Sequence, residues 1–182
     1  MPGAVRQVGT ALLLMVLSAC SSPIPISRAS APAPSSTPLS CQLRGPLPDP
    51  VCAPGVADPA VTQDNLDSTI CLRGYTRTVR PPVAYTDTLK QRQLLAYGLN
   101  EPIADYEEDH LIPLEVGGSP ADPRNLWPEP RDVLLPGDGA ETKDKLENRL
   151  HDLVCSGALS LGDAQHAVAT DWLAAYRLYV TS

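Results

Sequence analysis

The N-terminus restricts this chain most, because it decides the compartment in which the cysteines meet. Arg6 precedes an apolar run, Ala11-Leu12-Leu13-Leu14-Met15-Val16-Leu17, which closes on the small residues Ser18 and Ala19 before Cys20. A bilayer-spanning helix needs about 20 apolar residues, and this run is too short. It has the length and the small-residue ending of a signal-peptide core. Export would carry the rest of the chain into an oxidising compartment, where disulfides persist.

Leu17-Ser18-Ala19-Cys20 resembles a lipobox, in which the cysteine sulfur takes a diacylglyceryl group before cleavage. That resemblance implies a bacterial lipoprotein with residues 1–19 removed and Cys20 lipidated. The product would be exported and lipid-anchored at the cell envelope, with the membrane as its first partner. The alternative is an ordinary signal peptide with Cys20 as a bystander. Residues 21–40 are rich in Ser, Pro and Ala and nearly uncharged. Such a stretch buries too little apolar surface to offset the entropy of folding, so it reads as an extended tether.

The tether leads into residues 41–182, which are of a length for one domain. Four cysteines lie there: Cys41, Cys52, Cys71 and Cys155. Four cysteines allow three pairings, and sequence does not choose among them. Proximity favours Cys41–Cys52, closing a short loop, and Cys71–Cys155, tying the ends of the main domain. A zinc site is the rival reading, weakened by the lack of any C-x-x-C pair. Removing residues 1–19 takes one of the 14 basic residues and none of the 21 acids, leaving a formal charge of −8. That balance speaks against a nonspecific nucleic-acid binder, which usually shows a basic face.

The pattern predicts an α+β domain. Residues 41–60 are Pro-rich irregular loop. Tyr75 to Arg80 carries β-favouring residues stopped by Pro81-Pro82, which predicts an extended segment. A helix is expected over Thr86–Leu99, with Thr86 as its cap. Glu107–Val116 reads as extended, and Asn125–Trp127 as a second short strand ending before Pro128. Gly139–Cys155 is a helix with Leu146, Leu150, Leu153 and Val154 at helical spacing. Ser160 starts a last helix that runs to about Tyr179, with Asp163 in the place of a capping-box Glu. Trp127 and Trp172 are assigned to the core.

The informative stretch is Asp109-His110-Leu111-Ile112-Pro113-Leu114-Glu115-Val116-Gly117-Gly118, followed by Asn125-Leu126-Trp127. Across about residues 105–155 it resembles the HNH, or ββα-metal, endonuclease superfamily. The wider 41–180 arrangement also resembles a group of exported bacterial lipoproteins. The first resemblance implies a small ββα-metal core with additional flanking helices, here stabilised by disulfides. It implies a divalent metal, Mg²⁺ or Mn²⁺, to polarise a scissile phosphate. Asp109 would be a metal ligand and His110 the general base, a neutral imidazole able to take a proton near neutral pH. Asn125 would hold the loop and orient the base, although a plain turn amide is also a fair reading. Gly117 and Gly118 supply turn geometry.

The helix departs from the family pattern, which places a His or Asn early in it. Here it reads Lys143-Asp144-Lys145-Leu146-Glu147-Asn148-Arg149-Leu150-His151. Asp144 and Asn148 share a face, as do Glu147 and His151. Glu147 and Asn148 rank ahead of Asp144 and His151 as further metal ligands. The alternative makes Lys143, Asp144, Glu147 and His151 a solvated face. His110 is expected to face this helix. Arg77 and Arg80 could meet a phosphate or lie on the surface, and His166 is a surface or packing residue.

Two functions follow. One is an envelope-tethered, HNH-like, metal-dependent nuclease or phosphodiesterase acting on nucleic acid outside the cytoplasm. The other is a non-catalytic envelope module, binding or structural, on the same scaffold. The lipobox expectation has its own test. Cys20→Ser is expected to abolish lipid labelling and release the protein from the membrane fraction; unchanged retention would refute lipidation.

Overall fold

The computed structural model describes Gly3 and residues 40–182. The expected signal peptide, Cys20 and nearly all of the expected tether therefore lie outside the described residues. Among the described residues no helix is long and apolar enough to cross a membrane.

The described residues form a mixed α+β fold with one two-stranded sheet and two disulfides. Strand β1, Tyr106–His110, pairs antiparallel with β2, Leu126–Pro130, placing Glu107 opposite Glu129, Asp109 opposite Trp127 and His110 opposite Leu126. Among the described residues four α-helices accompany this hairpin: α1, Tyr75–Val79; α2, Val83–Tyr97; α3, Ala140–Cys155; and α4, Leu161–Tyr179; α2 and α3 pack on it.

Strand alternation divides the hairpin into two faces. Glu107, Asp109, Trp127 and Glu129 share the face toward α3; Tyr106, Glu108 and His110 share the other, where α2 packs. Trp127, Leu146, Leu150, Val154, Val168 and Trp172 are fully buried in one core that joins the hairpin to α3 and α4. The Trp172 indole donates to the Pro46 carbonyl at 2.8 Å, which seats the Pro-rich 41–60 loop on α4.

Several boundaries differ from the sequence reading for local reasons. Tyr75–Val79 is a helical turn, not an extended segment. Gly74, at φ 88°, turns the chain into it, and Pro81-Pro82 ends it. Helix α2 begins at Val83 behind Pro82, three residues before the expected Thr86 cap. Strand β2 continues through Pro128 to Pro130, because Pro128 lies opposite Glu108 on a two-stranded sheet with open edges. The last helix starts as expected, with the Ser160 hydroxyl accepting from the Asp163 N–H at 3.1 Å.

The favoured disulfide pairing is the one found: Cys41–Cys52, separated by 11 residues, and Cys71–Cys155, separated by 84. In the chain-entropy account the cross-link closing the longer loop removes more freedom from the unfolded state. Replacing Cys71 and Cys155 together by Ala should cost about 2–5 kcal/mol. It should lower the urea midpoint more than the Cys41/Cys52 double replacement does. An equal or reversed order would show that local packing, not loop length, governs these bridges.

Candidate functional site

The Asp-His segment is held by a buried amide. Asn125 is fully buried. Its side-chain oxygen accepts from the backbone N–H of Ile112 at 3.0 Å and of Val56 at 3.1 Å. Its side-chain nitrogen donates to the carbonyls of Ile112 and Ser119, each at 3.0 Å. One side chain thus clamps three stretches of backbone, so Asn125 holds the loop rather than facing a reactant. Gly118 completes the clamp: a Cβ there would stand 1.7 Å from the Ile112 carbonyl oxygen. No larger residue fits without moving backbone.

Asp109 and His110 then diverge. The Asp109 carboxylate reaches α3, where it accepts from the Lys143 ammonium at 2.6 Å. The His110 ring, on the opposite face, bonds the Pro120 carbonyl through Nε2 at 2.9 Å. The expectation that His110 faces α3 is corrected: only its backbone carbonyl does so, accepting from Lys143 Nζ at 3.0 Å. Burial holds the imidazole below its ordinary pKa with help from the Arg80 charge, against the Pro120 bond and Asp109. Because a carbonyl can only accept, Nε2 carries the proton and Nδ1 is the basic nitrogen.

Lys143 organises the α3 face. Its side chain is 1% exposed, and its ammonium also donates to Glu147 at 2.5 Å. Burial disfavours the charge, but Asp109, Glu147 and Glu129 together outweigh that cost and raise the lysine well above its usual range. Glu129 is the second buried member, 1% exposed, and neither of its oxygens meets a protein donor. Burial first, then the Asp109 charge, pushes it far above the ordinary carboxylate range. Asp109 is its diagonal neighbour on the same face of the hairpin. Burial likewise raises Glu147 against the pull of Lys143, with Asp109 adding to the rise.

The remaining candidates lie outside this group. Asn148 is exposed, and its amide donates to the Asp144 carbonyl at 2.7 Å on its own helix. Asp144 is exposed at the rim. His151 turns toward the Ile70 carbonyl, at 3.0 Å, and lines a separate cavity of about 230 Å³ with Arg73, Tyr75 and Glu115. His166, Arg77 and Arg80 are exposed. The solvated-face alternative holds for Asp144 and fails for Lys143.

The metal expectation meets this arrangement at its centre. Of its three candidate ligands, Asp109 and Glu147 converge, Asn148 does not, and the cation between the two carboxylates is an ammonium. Among the described residues no group of three or more His, Cys, Asp and Glu side chains has metal-holding geometry. The residues present do not fit a resident divalent ion. Comparison with family models, with curated proteins and with solved structures finds no match for this chain.

Sequence reasoning missed Lys143 and Glu129, and both left a signal. Lys143, Leu146, Glu147 and Leu150 fall at i, i+3, i+4 and i+7, the core stripe of α3. Glu129 lies two residues beyond Trp127, so uninterrupted strand alternation puts it on the buried face.

Glu108, on the α2 face, supplies a pH test. Both oxygens are buried without a donor. Burial, then Asp109, lifts its carboxyl to about 8 against the pull of Lys90. Its folded pKa thus exceeds its unfolded value of 4.5. The folded state binds the proton more tightly, so this contribution is fully present below 4.5 and is lost as pH rises toward 8. Glu108→Gln should flatten that fall, leaving the variant more stable than the parent at pH 8 when urea midpoints are compared across the range. Parallel curves for the two proteins would show that Glu108 is not the group responsible.

Proposed function

We propose that this chain is a lipid-anchored envelope module on an HNH-like ββα scaffold, serving binding or structure rather than metal-dependent hydrolysis. One observation carries the reading. The Lys143 ammonium occupies the point between Asp109 and Glu147 where the resemblance expects a divalent ion.

Other features point the same way. The base candidate His110 has its ring on the other face of the strand, on the Pro120 carbonyl. The outer edge of the group carries Glu107 and Asp144, beyond Asp109 and Glu147. Arg131 pairs with Glu107 at that edge at 2.9 Å, so its cation is already engaged by an acid. The scaffold assignment itself rests on the order Asp109-His110, Gly117-Gly118, Asn125-Leu126 and a following helix. A common scaffold does not carry a common activity with it.

The metal-dependent phosphodiesterase is the second reading. It is favoured by the convergence of Asp109 and Glu147 from hairpin and helix on one cation. A cleavage assay separates the two. Purified mature protein, given single- and double-stranded DNA and RNA with Mg²⁺ or Mn²⁺ at low salt, is expected to leave every substrate intact. Cutting that stops with chelator, and that falls about 10²–10⁴-fold in His110→Ala as loss of a general base would require, would overturn the proposal.

A further inference from the structure

The group at Lys143 contains the reactants of a condensation. A primary amine lies 2.6 Å from a carboxylate oxygen of Asp109. Diagonal to that carboxylate, on the same face of the hairpin, stands the fully buried carboxyl of Glu129. On the other side of the amine, Glu147 accepts one of its protons at 2.5 Å. The lysine side chain is 1% exposed and that of Asp109 13%, so little water competes. We propose that Lys143 and Asp109 join in an intramolecular isopeptide bond between Nζ and Cγ, with Glu129 as the proton donor and Glu147 as the proton acceptor.

The step balances within the four side chains. Glu147 takes a proton from the ammonium and leaves a neutral amine. Glu129 gives its proton to Asp109, making the carboxyl carbon electrophilic. The nitrogen lone pair attacks Cγ, and the resulting N–H returns a proton to Glu129. The proton on Glu147 leaves with the departing hydroxyl as water. Glu129 ends protonated and Glu147 ionised, as they began; nothing is oxidised or reduced, and one water is released.

Two physical arguments favour the reaction. Packing already supplies the approach, and holding reacting groups in near-attack contact removes most of the entropic barrier to joining them. The product also relieves the site. The amide removes the buried charges of Lys143 and Asp109, and Glu147, left without its cation, would take up a proton from solvent. The bond would fasten β1 to α3 across 34 residues of sequence. It goes beyond the function proposed above, and the amide would hold the same point between β1 and α3 that the ammonium holds in that reading.

Peptide mapping of the folded, full-length exported protein tests the bond. The expected result is that trypsin passes over Lys143. A branched peptide should appear, joining the segment that holds Asp109 to the one that holds Lys143. Its mass should be one water below the sum of the linear parts. Linear peptides cleaved at Lys143, a branch to Glu147 instead, or a water loss without a branch, as a cyclic imide at Asp109 would give, each overturns the proposal. Glu129→Gln keeps the size of the side chain and loses the acid; it should fold and keep linear peptides. If it does not fold, Glu129→Asp, which retains an acid at a greater distance, should form the branch more slowly than the parent. Undiminished branching in the folded Gln variant, or at the parental rate in the Asp variant, would remove Glu129 from the reaction.

Discussion

A lysine ammonium that has left water almost entirely must be surrounded by anions placed closely enough to replace its hydration. Around Lys143 that replacement comes from Asp109, Glu147 and the His110 carbonyl. Three separate pieces of structure must agree for it to work. Strand β1 presents Asp109, α3 presents Lys143 and Glu147 one turn apart, and β2 closes the site with Glu129. Taking away one partner of such a group strands the others without solvent, typically at about 3–5 kcal/mol. The geometry of hairpin against helix is therefore tied to one cation.

The start of α3 shows how that cation is kept in position. Asp132 accepts from the Gly139 N–H at 3.0 Å and from the Thr142 hydroxyl at 3.2 Å, closing the loop that precedes the helix. Arg131 bridges Glu107 on β1 at 2.9 Å and Glu141 on α3 at 3.2 Å. These exposed pairs contribute little individually, but they set where the first turn of α3 begins. Lys143 lies within that turn's reach, so its rotational position on the helix follows from them.

The two members of the Asp-His motif are separated by the pleat of the strand that carries both. Asp109 joins the α3 face, while the ring of His110 bonds the backbone at Pro120. Asn125 fixes the strand end, because its amide holds Ile112 on both its N–H and its carbonyl. The same clamp shapes the loop and keeps His110 buried. A motif that reads as one catalytic unit along the chain is thus divided between two environments in space.

Much was legible from local rules. The helix from Gly139, its leucine stripe, the Ser160 start, the core tryptophans and the α+β class all follow from spacing, capping and apolar pattern, which act over a few residues. The disulfide pairing is the one that proximity favoured, although the cysteine count leaves three pairings open. Helix α1 was misread because Gly74 and two prolines outweighed the β-favouring residues between them. The site was half legible. Asp109, Glu147 and Asn125 stand out by type and order, whereas Lys143 enters the sequence reading through the solvated-face alternative, because lysine usually belongs there. Its burial depends on carboxylates 34 residues back on β1 and 14 back on β2. No local pattern reports that a charge has found its partners, since the stabilisation exists only once hairpin and helix are packed. The chain alone determined which elements form and which residues could do chemistry. The tertiary structure decided which of them meet, and that the cation between Asp109 and Glu147 is an ammonium.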